Sequence, residues 1–256
     1  MSHMASTRSP LFAPAISFGT IVGVLAVMQG LIMAEVINPY IVPLPTDIAA
    51  SLWRVVVEEG IPGRFAVTVG ETLAAGLLIL LVGMPIGLLL YRFGRLRLAF
   101  EPWLAAMAAA PLVLAYPLFL VLFGRSSLTI IVIGFAAGVA PVALKTIEGF
   151  ASTRRVLIDV GRSFRLTPAQ EFRKILLPAA LPQIFVGLRL GLIFCLINVV
   201  GVEFLINLGG LGQLINDLAE RYDLPGTYAA ICFVVLVSIL FFAILDRGEK
   251  WLQRRG

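Results

Sequence analysis

The stretch DVGRSFRLTPAQEFRKILLPAALP (residues 159–182) crowds charge into a chain that is 59% hydrophobic and only 14% charged. Long apolar runs stand on either side of it. Asp159, Arg162, Arg165, Glu171, Arg173 and Lys174 make it too polar for hydrocarbon, so it divides those runs and sets how the chain is threaded.

Over 256 residues the mean hydropathy is +0.98, and globular domains are only about 45–50% apolar, so the class is integral membrane. A helix needs about 20 apolar residues to cross a bilayer. Uncharged runs of that order cover residues 9–34, 72–91, 102–124, 126–144 and 224–245. A sixth, 183–206, is interrupted by Arg189 and ends near Glu203. Barrel strands would alternate over about ten residues, whereas these runs are continuously apolar. The expected fold is all-α, with six transmembrane helices in a single domain over residues 9–256. MSHMAS, with the lone His3, reads as an expression scar within residues 1–8. The first run exceeds the roughly 7–15 apolar residues of a signal peptide, so it is read as an uncleaved helix.

Positive residues are retained on the cytoplasmic side. With both termini inside, Arg8, the Arg92–Arg95–Arg97 loop, the segment from Lys145 to Lys174, and the tail with Arg247, Lys250, Arg254 and Arg255 are all cytoplasmic. Only Arg54, Arg64, Arg125 and Arg221 fall outside, and Arg189 is intramembrane. The polar stretch is therefore cytoplasmic. Retention and anionic lipid account for the pI of about 9.6 without nucleic acid.

Catalytic chemistry finds little to use. Apart from the scar there is no histidine, no aspartate falls in a span, and Cys195 and Cys232 sit in spans as small apolar residues. No metal site is expected. NLGGLGQL (207–214) lacks the lysine of a phosphate-binding loop and reads as a turn after the fifth span.

The link between the first two spans ends in a short interfacial helix, with Thr46 as N-cap, Ile48, Leu52, Val55 and Val56 on one face, and Trp53 at the interface. Pro85, Pro111, Pro117 and Pro141 mark kinks. The polar stretch reads as two short helices. The first covers about 153–164, with Val156, Val160 and Phe164 as an apolar stripe. The second starts at Thr167, where T-x-x-Q and Pro168 combine a capping box with a preorganised first position. Pro178 and Pro182 begin the return to the membrane. Such a segment suits anionic lipid or a cytoplasmic partner.

These residues resemble the EAA motif of bacterial ABC importer permeases, in which EAA is followed by three residues, Gly, nine residues and Ile-x-Leu-Pro. Here the matching positions are Asp159-Val160-Gly161, Arg165 and Ile175-Leu176-Leu177-Pro178. VPLPTDIAASLW, GMPIGLLL, EPWLAAMAAAPLVLAYPLFLVLFG, LPAALPQIFVGLRLGL, VVGVEFL and GGLGQLI are similar to the nitrate, sulfonate and taurine subfamily. The resemblance implies a permease in the bacterial inner membrane that binds no cofactor itself. ATP and Mg belong to a partner ATPase dimer. A second permease copy and a periplasmic or lipid-anchored solute-binding protein complete the machine. It also implies ATPase coupling through residues 152–178, on Asp159, Gly161, Arg162, Arg165, Leu166, Thr167, Pro168, Leu177 and Pro178. Two departures stand out: Arg165 occupies the motif glycine, and Glu71 replaces an arginine common at that place.

Charges inside spans are functional candidates by default. Glu71, Arg189, Asn198 and Glu203 are the translocation-pathway candidates, and Gln29 is a weaker one. Arg189 lies about four turns, roughly 21 Å, from Glu203, too far to pair with it. The expected function is uptake of a small anionic or heterocyclic solute by alternating access. An ABC-linked exporter or lipid mover, working without a binding protein, is the alternative; a bilayer-embedded enzyme has almost no catalytic residues to support it.

Overall fold

The computed structural model describes residues 12–253. The scar, Arg8, Arg254 and Arg255 lie outside the described residues. Within them the chain forms helices only: α1 (Phe12–Met33), α2 (Pro45–Glu58), α3 (Ile61–Arg92), α4 (Gly94–Ala109), α5 (Tyr116–Phe123), α6 (Ser127–Ala151), α7 (Arg155–Ser163), α8 (Pro168–Ile206), α9 (Gly210–Glu220) and α10 (Leu224–Gln253).

Among the described residues α3, α6, α8 and α10 are long and apolar enough to cross a membrane. The third expected span is not straight. Ala110 is extended (ψ 135°) ahead of Pro111, and the chain turns 89° between α4 and the Leu112–Phe123 segment. That pair makes a fifth span if counted as one. The apolar part of α1, Gly19–Met33, is shorter than these.

Two helices are longer than expected. α3 begins at Ile61, so Arg64 and Glu71 lie inside a helix that charge had seemed to bound. α8 runs unbroken from Pro168, so the second short helix of the polar stretch is the start of the fifth span itself. Proline lacks a donor and its ring crowds the carbonyl four residues back. The helix continues through a wider π-helical turn just ahead of each proline: Phe172–Leu176 ahead of Pro178, and Ile79–Gly83 ahead of Pro85.

α6 is the centre of the bundle. Its Ile130, Ile133 and Val142 are sealed between Ala75 and Ile79 of α3 and Cys195, Val199 and Val202 of α8. Lipid supplies no hydrophobic drive between helices, so close packing of small residues must hold them. A Cβ at Gly138 would stand 2.6 Å from the Gly191 carbonyl, and one at Gly191 2.7 Å from the Gly138 carbonyl. Gly87 of α3 approaches the Ala143 carbonyl of α6 as closely, at 2.6 Å.

At one end α2 and α9 pack against the start of α10. Val55, Leu214, Leu218 and Ala229 form their core, with Ile48, Leu52 and Val56 packed on it, the face expected for α2. Thr46 is not its cap: Leu44 precedes Pro45 at the helix start, and the Thr46 hydroxyl accepts the Gln29 amide at 3.2 Å. Trp53 is exposed. Arg54–Asp223 (2.5 Å), Arg64–Asp217 (2.8 Å) and Arg221–Glu59 (3.1 Å) tie this end together. Arg125 donates to the carbonyls of Ile206 (2.7 Å) and Asn207, at the end of α8. All four arginines that depart from the charge asymmetry thus have a local structural partner.

Candidate functional site

The polar stretch folds into a corner. α7 closes with a paired backbone motif: the Leu166 N–H reaches the Gly161 carbonyl (3.1 Å) and the Arg165 N–H the Arg162 carbonyl (2.8 Å). That closure places Arg165 in the left-handed region, at φ 51°. The conformation suits the glycine of the motif, and an L-residue there costs about 1–2 kcal/mol. Two residues on, Thr167 caps α8: its hydroxyl accepts the Gln170 N–H (3.4 Å), and its own N–H donates to the Gln170 side chain (3.0 Å). The expected capping box is present, with Pro168 in the first turn. Losing such a cap costs about 1 kcal/mol.

Gly161 is the buried member of α7, and a Cβ there would meet Ile175 Cδ1 at 2.5 Å. This contact seats α7 against the π-helical turn of α8. The outward face carries Val156, Val160 and Phe164, all exposed, with Phe164 at 77%. Asp159 and Arg162 are also exposed and only loosely paired at 3.8 Å. Leu177 and Pro178 lie where the π-helical turn returns to α-helix. Behind the corner, Phe172 stacks on Phe150 of α6, which stacks on Tyr91 of α3, joining three helices.

The membrane candidates separate into two groups. Arg189 pairs with Asp246 and Glu249 of α10, each at 3.0 Å. Sequence reading had no partner for it, because both acids lie past the apolar run of α10. Glu203 is fully buried and is held by the Thr68 hydroxyl (2.8 Å) and the Gly212 N–H (2.8 Å). The glycines of 207–214 do make a turn, with Gly209 and Gly210 at positive φ. They also make room for Glu203: a Cβ at Gly210 would collide with its carboxylate at 2.1 Å. Glu71 lies against Glu203 from α3. Asn198 donates to the Phe194 carbonyl one turn back (2.8 Å). Thr68 and Arg125 were missed; the GG turn so close after an embedded glutamate was the available signal.

Residues 79–255 match a family described as binding-protein-dependent transport system inner membrane component. The chain is similar to the taurine transport system permease protein TauC of Escherichia coli, 27% identical and covering 94% of this chain and 88% of that protein. It is also similar to the formylaminopyrimidine transport permease protein ThiX of Halalkalibacterium halodurans, 27% identical, covering 84% of this chain and 86% of that protein. Among solved structures, an inward-facing MetNI methionine ABC transporter chain superposes with a TM-score of 0.65 at 21% identity, over 75% of this chain and 95% of that one. That likeness shows the fold.

Proposed function

The chain belongs to the family of binding-protein-dependent transport system inner membrane components, and from that premise we propose that its α7–α8 corner is the joint through which an ATPase drives it. It is the permease subunit of an ABC importer, of the nitrate, sulfonate and taurine type, and not an enzyme. ATP and Mg are held by separate cytoplasmic ATPase chains.

The observation that carries the joint is the corner itself. A short helix with a bare apolar face is fixed without slack to a 39-residue helix that runs into the bundle. Pushing on Val156, Val160 and Phe164 must move α8, because the cap, the backbone closure and Gly161 leave no hinge between them. Asp159, Arg162 and Arg165 ring that face and supply polar contacts. In this account α1, α3, the bent α4–α5 pair, α6, α8 and α10 are the six spans, with both termini and α7 cytoplasmic. A second copy completes the pathway, and a binding protein delivers a small solute, either anionic or heterocyclic, the latter as in the formylaminopyrimidine of the ThiX relative's name. Arg189 is held as a structural tie to α10 and Glu71 and Glu203 are buried between helices, which leaves Asn198 as the better pathway candidate.

Reconstitution with the ATPases tests the reading: substrate-linked ATP hydrolysis and uptake are expected, and their absence would refute it. Arg165 gives a finer check. Arg165→Gly relieves the left-handed strain, so the melting temperature should rise slightly, by the equivalent of about 0.5–1 kcal/mol. If Arg165 also touches the ATPase, coupling falls in the same variant; unchanged assembly and coupling would remove that contact from the account.

A further inference from the structure

We propose that Glu71 and Glu203 hold a single proton between them, forming a buried proton-binding site that joins α3 to α8. Glu203 is 0% exposed and Glu71 5%. The oxygens of Glu203 are supplied with donors: the Thr68 hydroxyl stands 2.8 and 3.0 Å from the two, and the Gly212 N–H 2.8 Å from one. The Leu211 N–H donates to Thr68 Oγ1 at 2.8 Å, occupying that oxygen as an acceptor and turning its proton towards Glu203.

Glu71 follows Thr68 by one turn on the same face of α3, beside Glu203 and the Ser127 hydroxyl of α6, and neither of its oxygens makes a well-formed hydrogen bond among the described residues. Two carboxylates that face each other present only acceptors, so a proton is needed to join them. Glu203 already has the Thr68 hydroxyl and the Gly212 N–H, while Glu71 has at most the Ser127 hydroxyl, which puts that proton on Glu71.

Among the described residues no basic side chain pairs with either carboxylate. On α3, Arg64 is committed to Asp217 of α9. Arg125, ahead of α6, is committed to the carbonyls at the end of α8. α6 offers the neutral Ser127. α8 offers the Cys195 thiol, directed at the Thr72 carbonyl. α10 presents neutral side chains such as Val234, Ser238 and Phe241 to the Thr68–Thr72 face. Losing the proton leaves two adjacent buried anions, and α3 then repels α8 where it had bonded to it.

The test uses the full chain with its ATPases in lipid nanodiscs. Infrared spectroscopy at neutral pH should show a protonated-carboxyl stretch that moves on labelling glutamate with carbon-13 and disappears in Glu71→Gln. The folded state carries one more proton than the unfolded state, so melting temperature should fall as pH rises from about 6 to about 9. Glu71→Gln should flatten that slope, because its amide donates to Glu203 without titrating. If Glu71→Gln does not fold, loss of the labelled wild-type band as pH rises decides the matter alone. Absence of a protonated glutamate band overturns the proposal. So do identical pH slopes in the two proteins, or a melting temperature governed by sodium concentration instead of pH.

Discussion

Val160→Asp, reconstituted with the ATPases, is expected to lose substrate-stimulated ATP hydrolysis at least about tenfold while its own melting temperature hardly moves. Val160 is 47% exposed on α7, so the bundle does not depend on it. In the proposed complex the same face is covered by the ATPase. A carboxylate would there be buried without a partner, at a cost of several kcal/mol, and each 1.4 kcal/mol is about a factor of ten in binding. Co-purification of the ATPases should weaken in parallel. Retained hydrolysis with a retained complex would mean that α7 is not the contact.

The second large effect lies in the bundle. Gly191→Leu should leave little folded permease in detergent, measured as the monodisperse fraction and its melting temperature. The Cβ alone would stand 2.7 Å from the Gly138 carbonyl, and no rotamer moves a Cβ. α6 and α8 must therefore separate, undoing the packing that holds the bundle centre. Overpacking costs about 1–3 kcal/mol where side chains can yield, and more is expected where backbone faces backbone. Gly70→Ala is the control, since nothing lies within 4 Å of its added Cβ. Equal behaviour of the two variants would contradict this account of the core.

What was legible in the sequence was local. T-x-x-Q announced the cap on α8, and Arg165 at the motif glycine takes the left-handed conformation that a glycine suits. What was hidden depended on partners far along the chain. Arg64 and Glu71 looked like boundaries because Asp217 and Glu203, which neutralise or face them, come from α9 and α8. Arg189 looked isolated for the same reason, its acids being on α10. Pro178 looked like the start of the return to the membrane, because a π-helical turn that carries the helix through it cannot be read from composition. The right-angled corner at Pro111 exceeds the kink that proline alone implies.

Cross-linking from α7 tests the central claim most directly. With Cys195 and Cys232 replaced by alanine, Val160→Cys and Phe164→Cys in the assembled transporter should each form a cross-link to an ATPase chain with a short thiol-to-amine reagent. The yield should change when ATP and substrate are added. A fully assembled, ATP-hydrolysing complex with no ATPase cross-link from either position would contradict the account.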